Sequence, residues 1–222
     1  MGGVTSQRTA RRTDALTSER IVAAAIDILD TDGERGLTFR TLATRLSTGA
    51  GALYWHVGNK DALLAAATEH VVGTVVTSAA RDGNPRDAIR ALALGLFDAV
   101  DAHPWVGSSL NDQSWQVAMV QILEGLGGNL VALGVPDDAQ FDCATAVLNY
   151  VLGVAGQNAA HARTGRVDRV TFLANVAAQW QSYDADRYPF VHRIAAQLPR
   201  HDDREQFLAG IDLILAGIDA EQ

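Results

Sequence analysis

Cysteine is almost absent. Cys143 stands alone in 222 residues, so no intrachain disulfide can form and a cysteine zinc site is excluded. Lys60 is the single lysine, and Pro occurs only five times, which leaves room for long uninterrupted helices. No apolar run reaches the ~18 residues that suggest a membrane span. The N-terminal stretch MGGVTSQRTARRTDALT has charges but no apolar h-region, so it does not read as a secretory signal. The period-two alternation of β-strands is missing too. These absences predict an all-α protein of the cytoplasm.

Catalytic signatures are equally scarce. There is no nucleophile elbow, no H-E-x-x-H and no credible pair of catalytic carboxylates. His56, His70, His103, His161, His192 and His201 are scattered, with no i, i+4 pair to grip a metal. Neither an enzyme nor a resident metal or cofactor is expected.

What the chain does have is a split charge. The whole carries −8, yet residues 1–60 hold eight Lys/Arg against six Asp/Glu and the remainder ten against twenty. Only the N-terminal piece suits a polyanion, and an acidic body would keep such a partner to one face.

In order, residues 1–16 read as a flexible arm bearing Arg8, Arg11 and Arg12, a solvated tail or a reach into a minor groove. A first helix starts near Thr17/Ser18 and shows Ile21, Val22, Ala25, Ile28 and Leu29 on one face. Asp32-Gly33 ends it, with Gly33 as a left-handed cap. Thr38 caps a second helix that turns Leu42, Ala43 and Leu46 inward. After the polar turn Ser47-Thr48-Gly49 comes a short third helix, Ala50 to about Val57. Gly58-Asn59 breaks it, and Asn59 caps a long fourth helix that connects two domains, 17–62 and 63–222. Beyond Pro85 every segment has a helical period: about 86–102, a short piece after His103-Pro104-Trp105, then about 113–133, 138–163, 168–182 and 203–219. Nine or ten helices are expected.

Leu37 to Leu63 thus spells helix, tight turn, helix, which lays a recognition helix in the major groove of DNA. The residues Thr38, Arg40, Leu42, Ala43, Leu46, Leu53, Tyr54, Trp55, His56, Val57, Asn59 and Lys60 resemble the DNA-binding signature of tetracycline-repressor (TetR) family regulators. The string LYWHV-x-NK is its specific part. The resemblance implies phosphate contacts from Thr38, Thr48, Tyr54, His56 and Lys60, and a base contact from Arg40, whose fork suits guanine. Where founding members carry a Gln-Pro-Thr type triplet, this chain has Ala50-Gly51-Ala52 after Gly49. Such a helix can approach the groove floor and use backbone amides, with specificity leaning on Arg40, Tyr54 and DNA shape. Trp55 and Val57 are read as core of the small head.

The far end resembles the same family. FLAGIDLILAGI, Phe207 to Ile218, and NYVLGVAGQNAAH, Asn149 to His161, are similar to its two dimer helices. The resemblance implies a homodimer on a palindromic operator, with Gly153, Gly156, Phe207, Gly210, Ile211, Ile214 and Ile218 at the interface. Glycine costs about 1 kcal/mol against Ala within a helix, a cost that close helix packing explains; ordinary intrachain core is the other reading of the stripe. Phe97, His103, Trp115, Met119, Tyr150, Gln157 and Trp180 are candidates to line an effector cavity. Val76, Leu92 and Leu110 register with the founding member's metal–drug ligands, and their apolar side chains offer Mg²⁺ nothing. An apolar or multi-ring effector is therefore expected to release a repressor from DNA. A ligand-independent DNA-binding regulator is the alternative, with a metal-responsive sensor behind it.

Overall fold

The computed structural model describes residues 16–79, 83–112, 117–163 and 169–220. The expected arm (1–15, with Arg8, Arg11 and Arg12) and Trp115 lie outside the described residues. Eleven α-helices and one 3-10 turn, with no strand, make up the described part: α1 (Ser18–Gly36), α2 (Phe39–Arg45), α3 (Ala50–Val57), α4 (Lys60–Ala79), α5 (Pro85–Ala102), α6 (Pro104–Asp112), α7 (Val117–Leu133), α8 (Asp137–Arg163), α9 (Arg169–Gln181), α10 (Pro189–Ala195), the turn Leu198–Arg200, and α11 (Asp203–Ala220). The extra helix is α10. Tyr188-Pro189 reads as a break, but Pro at the first helical position loses no hydrogen bond and presets φ, so it starts a helix instead.

Caps set the boundaries. The Thr17 hydroxyl accepts from Arg20 N, Asn84 from Arg86 N, and Asn59 Oδ1 from Ala62 N. Gly33 has φ 67, which ends the regular part of α1 at Asp32 as its sequence suggests.

α1, α2 and α3 pack together as a small head, and α4 runs from it into a bundle with α5, α6, α7 and α8. By length and composition alone α4 could cross a membrane. Here it packs on α1, α5, α6 and α7 and buries Leu63, Leu64, Ala67, Val71 and Val72. It is a core helix. One continuous apolar cluster runs from Ile21 and Leu53 in the head through Leu92 and Leu126 to Phe207 and Ile218.

Three arginine contacts tie α11 to α5. Arg204 pairs with Asp98 at 3.1 Å, Arg90 with Asp212 at 2.9 Å, and Arg86 donates to the Leu215 carbonyl at 3.3 Å. Two close helix approaches depend on glycine: a Cβ on Gly95 would lie 2.6 Å from Val75 Cγ1, and one on Gly210 would lie 2.1 Å from Tyr150 Oη.

Candidate nucleic-acid interface and the joint behind it

Thr38 opens α2 with a reciprocal cap. Its hydroxyl accepts from Thr41 N at 3.1 Å, while Thr41 Oγ1 accepts from Thr38 N at 3.0 Å. The turn into α3 is closed rather than loose. Thr48 N donates to Ala43 O at 3.0 Å, Ser47 N donates to Thr44 O at 3.2 Å, and Ser47 takes φ 51. This is the left-handed helix terminus usually given to glycine. Two backbone bonds thus fix the angle between the helices.

From that turn α3 buries only Leu53 fully, with Ala50 and Val57 packed half-buried against the core. Gly51, Ala52, Tyr54 and His56 are exposed, as is Gly49, which caps the helix without a side-chain bond. Ala50 and Thr48 are half-buried, and Tyr54 stacks on Phe39 with centroids 4.0 Å apart and planes at 6°. Trp55 overturns its reading as core: it is 93 % exposed. The helical period places it opposite Leu53, and an eight-residue helix has a single inner stripe. Val57 is half-buried and does pack against the core. Arg40 is exposed on α2, with no ion pair among the described residues. Lys60 Nζ bonds the Glu34 carbonyl, so in this structure its ammonium closes the base of the head. A shallow helix with a small-residue tip and an outward Tyr-Trp pair, held at a fixed angle by its neighbour, defines a helix-turn-helix DNA-binding regulator.

Comparison with known proteins agrees. Residues 21–67 match the model of bacterial regulatory proteins of the tetR family, and residues 78–222 match the tetracyclin repressor-like C-terminal domain. A solved structure of the transcriptional regulator SCO7222, a TetR from Streptomyces coelicolor, is 51% identical, with TM-score 0.87 over 93% of this chain and 99% of that one. ActR from the same organism, solved in complex with actinorhodin, is 26% identical with TM-score 0.77, covering 92% of this chain and 96% of that chain. An HTH-type transcriptional regulator of Saccharopolyspora erythraea is 34% identical over 149 residues; the match takes in 66% of this chain but only 63% of the relative's length. The chain belongs to the tetracycline-repressor family of transcriptional regulators.

Behind the head lies the joint with the body. Asp30, near the end of α1, receives two side chains from the His103-Pro104-Trp105 corner on one carboxylate oxygen. His103 Nδ1 lies 2.8 Å from Asp30 Oδ1 and Trp105 Nε1 donates to it at 2.7 Å. On the other side of the corner the Thr68 and Ser109 hydroxyls, both buried, meet at 2.9 Å between α4 and α6. Sequence reasoning offered His103 as an effector-lining residue and missed this acceptor. Nothing in sequence spacing links positions 30 and 103, so only the fold reveals the clamp.

Two clefts flank α4 here. One, of about 600 Å³, lies between the first turn of α1, α4 and Gln121 of α7; the other, of about 480 Å³, lies between Ile26, α4 and α5, and His103 borders it. Among the described residues, His103 is the only member of the expected effector-lining set in either cleft. Phe97 and Met119 are buried, and Phe97, Phe207 and Tyr150 stack in sequence at 4.9 and 5.4 Å. The Tyr150 hydroxyl donates to the Phe207 carbonyl at 3.2 Å, and burial raises its pKa. Gln157 is exposed and Trp180 half-buried on α9. These residues thus make core and surface rather than a shared wall. Leu92 and Leu110 are buried and Val76 half-buried, an apolar setting without a metal donor from these three positions.

The expected interface residues divide as well. Phe207, Ile211 and Ile218 are buried within the chain, at 2 %, 0 % and 4 % exposure, so the α11 stripe is intrachain core. Gly210 makes room for Tyr150, and a Cβ on Gly156 would stand 3.4 Å from Asn111 Nδ2. What remains outward is Gly153 with open space above it, half-buried Ile214, and Leu213 at 76 % exposure.

Proposed function

We propose that the chain acts as a homodimeric repressor that grips a palindromic operator and is released by a small-molecule effector. In this reading 17–62 is the DNA-binding domain and 63–222 the effector-binding and dimerisation domain. The observation that carries it is the joint. α1 belongs to the head, yet its Asp30 is held by two side chains of the body. A ligand that shifts α4 or the His103 corner therefore acts on the placement of the head. Release requires that the ligand bind the two placements with different affinity.

On DNA, the α2 N-terminus at Thr38 and the amides at Gly49, Ala50, Gly51 and Ala52 face the duplex. Thr48, Tyr54 and His56 contact phosphates, Lys60 joins them by leaving the Glu34 carbonyl, and Arg40 reads a base. ActR, with actinorhodin in its structure, gives a related precedent for a multi-ring effector.

Dimerisation is supported by exposed apolar surface. Leu213 of α11 and Phe141 of α8 are exposed, and two-fold pairing through α8 and α11 would cover them. α9, α10 and the 3-10 turn pack chiefly on one another and expose Val170, Phe172, Tyr188 and Phe190 as well.

Selection of bound fragments from a random duplex pool tests the reading: an enriched palindrome is expected. Gly153→Leu, at a position where a Cβ meets nothing within 4 Å, should leave the fold intact and lower dimer mass in sedimentation. A folded dimer that enriches no sequence would overturn operator binding, and an undisturbed dimer in Gly153→Leu would move the interface elsewhere.

A further inference from the structure

The larger cleft has a chemical character of its own. Thr74, Thr77 and Ser78 line it, and each hydroxyl donates its proton to the carbonyl four residues back in α4: to His70 at 3.0 Å, Gly73 at 2.7 Å and Thr74 at 2.9 Å. A hydroxyl has one proton, so these three oxygens keep only acceptor capacity toward anything in the cleft. Glu19 of α1 and Glu69 of α4 add two carboxylates. Glu19 is held below its usual range by its own backbone N–H and by the Thr17 hydroxyl, so it stays ionised.

Behind Gly73 sits Gln121, whose Oε1 is buried without a hydrogen-bond partner; it is the one such side-chain atom among the described residues. An unmatched buried acceptor is destabilising, and a donor brought into the cleft would relieve that. The missing side chain at Gly73 leaves the approach open, since even a Cβ there would stand 3.6 Å from Gln121 Oε1. Among the described residues, the Ser18 hydroxyl, the His70 ring and the Gln121 amide N–H groups are the only side-chain donors left in the lining, and no Lys or Arg borders it.

We propose that the cleft between α1, α4 and α7 binds an amine-bearing organic cation, its ammonium held by Glu19 and Glu69 and its N–H directed at Gln121 Oε1. A volume of about 600 Å³ lies within the usual range of small-molecule sites. The acceptor-rich wall selects a multiple donor over an anion or a neutral acceptor. The regulatory consequence rests on the effector reading above: an occupant touching both α1 and α4 bears on where the head sits. Binding itself does not depend on that reading.

Spermidine is a suitable probe, titrated calorimetrically into the intact chain at matched ionic strength, with 1,8-octanediol as its uncharged control. Saturable binding of spermidine alone is expected. Glu69→Gln, which keeps size and removes one charge-assisted partner, should weaken it about tenfold or more, and Gly73→Leu should abolish it. Glu124→Gln, an exposed carboxylate on α7 outside the lining of the cleft, should change nothing. Equal binding by wild type, Glu69→Gln and Gly73→Leu overturns the site, as does equal weakening by Glu124→Gln, because both outcomes describe a diffuse attraction to an acidic surface. The effector reading is separately exposed. If spermidine binds as expected but operator affinity is unchanged in its presence, the site stands and its role in release falls.

Discussion

Gly210→Ala pits two effects of opposite sign against each other. Within an exposed helix the change should stabilise by about 1 kcal/mol, the propensity gap between Gly and Ala. Here the added Cβ would stand 2.1 Å from Tyr150 Oη and 2.4 Å from Cζ, so the ring must leave. Its departure forfeits the bond to the Phe207 carbonyl, about 1 kcal/mol, and the Tyr150–Phe207 stack, about 0.5–1.5 kcal/mol. Repacking an overfilled site adds about 1–3 kcal/mol. The sum favours destabilisation by about 2–4 kcal/mol after the helix gain is deducted. For a chain of this size that lowers Tm by roughly 4–16 °C, readable by circular dichroism and by the urea midpoint. The background Tyr150→Leu provides the decisive arm. With the ring removed, Gly210→Ala should become neutral or stabilising. If it remains as damaging there, the close neighbour of Gly210 is a second subunit and not Tyr150, and the intrachain account of this glycine fails.

Ser47→Gly should raise the urea midpoint, since a non-glycine residue at φ 51 carries a penalty of about 1–2 kcal/mol that the glycine escapes at a smaller entropic cost; Ser47→Val should lower it, and equal effects would deny the strain. Asp30→Ala should cost about 1–3 kcal/mol by stranding the Trp105 and His103 donors and should shift Trp fluorescence, whereas Asp30→Asn, still an acceptor, should recover most of the loss; identical behaviour of the two variants would show that the clamp does not depend on that oxygen. Arg40→Ala should weaken binding to a selected operator by about 1–3 kcal/mol in a salt-controlled titration, and an equal loss on random duplex would reassign Arg40 to the phosphate backbone.

The helices were legible because their signals are local. Thr17, Thr38, Asn59 and Asn84 cap, Gly33 and Gly58 stop, and apolar residues recur with one period. α10 was not, because a proline that ends one extended piece also opens a helix. Direction across a helix was harder. Trp55 looks like core by size, but in so short a helix Leu53 already takes the inner stripe. The α11 glycines and the Phe207 stripe read as an interface from resemblance, yet burial of Phe207, Ile211 and Ile218 and the seat of Tyr150 over Gly210 depend on which helix crosses there. Likewise Phe97, Met119 and Tyr150, expected around an effector, fill space in the bundle, while the cleft with unmet polar chemistry is lined by Glu, Thr, Ser and Gln. Those residue types pass in a sequence for a solvated helix face.

The continuous core from Ile21 to Ile218 has a practical corollary for exchanging DNA specificities among relatives. No slack tether separates the reader from the responder: Gly58 and Asn59 lead at once into α4, whose inner face is shared by both. A graft cut at that turn would set a foreign α1 against a native α4, severing Asp30 from its corner and opening a seam of apolar surface. Transplants that carry the whole of α1 to α3 should therefore succeed only when the donor also matches α4 and the corner residues. Changing the proposed reading face in place, at the exposed Arg40, Gly51 and Ala52, leaves that seam untouched.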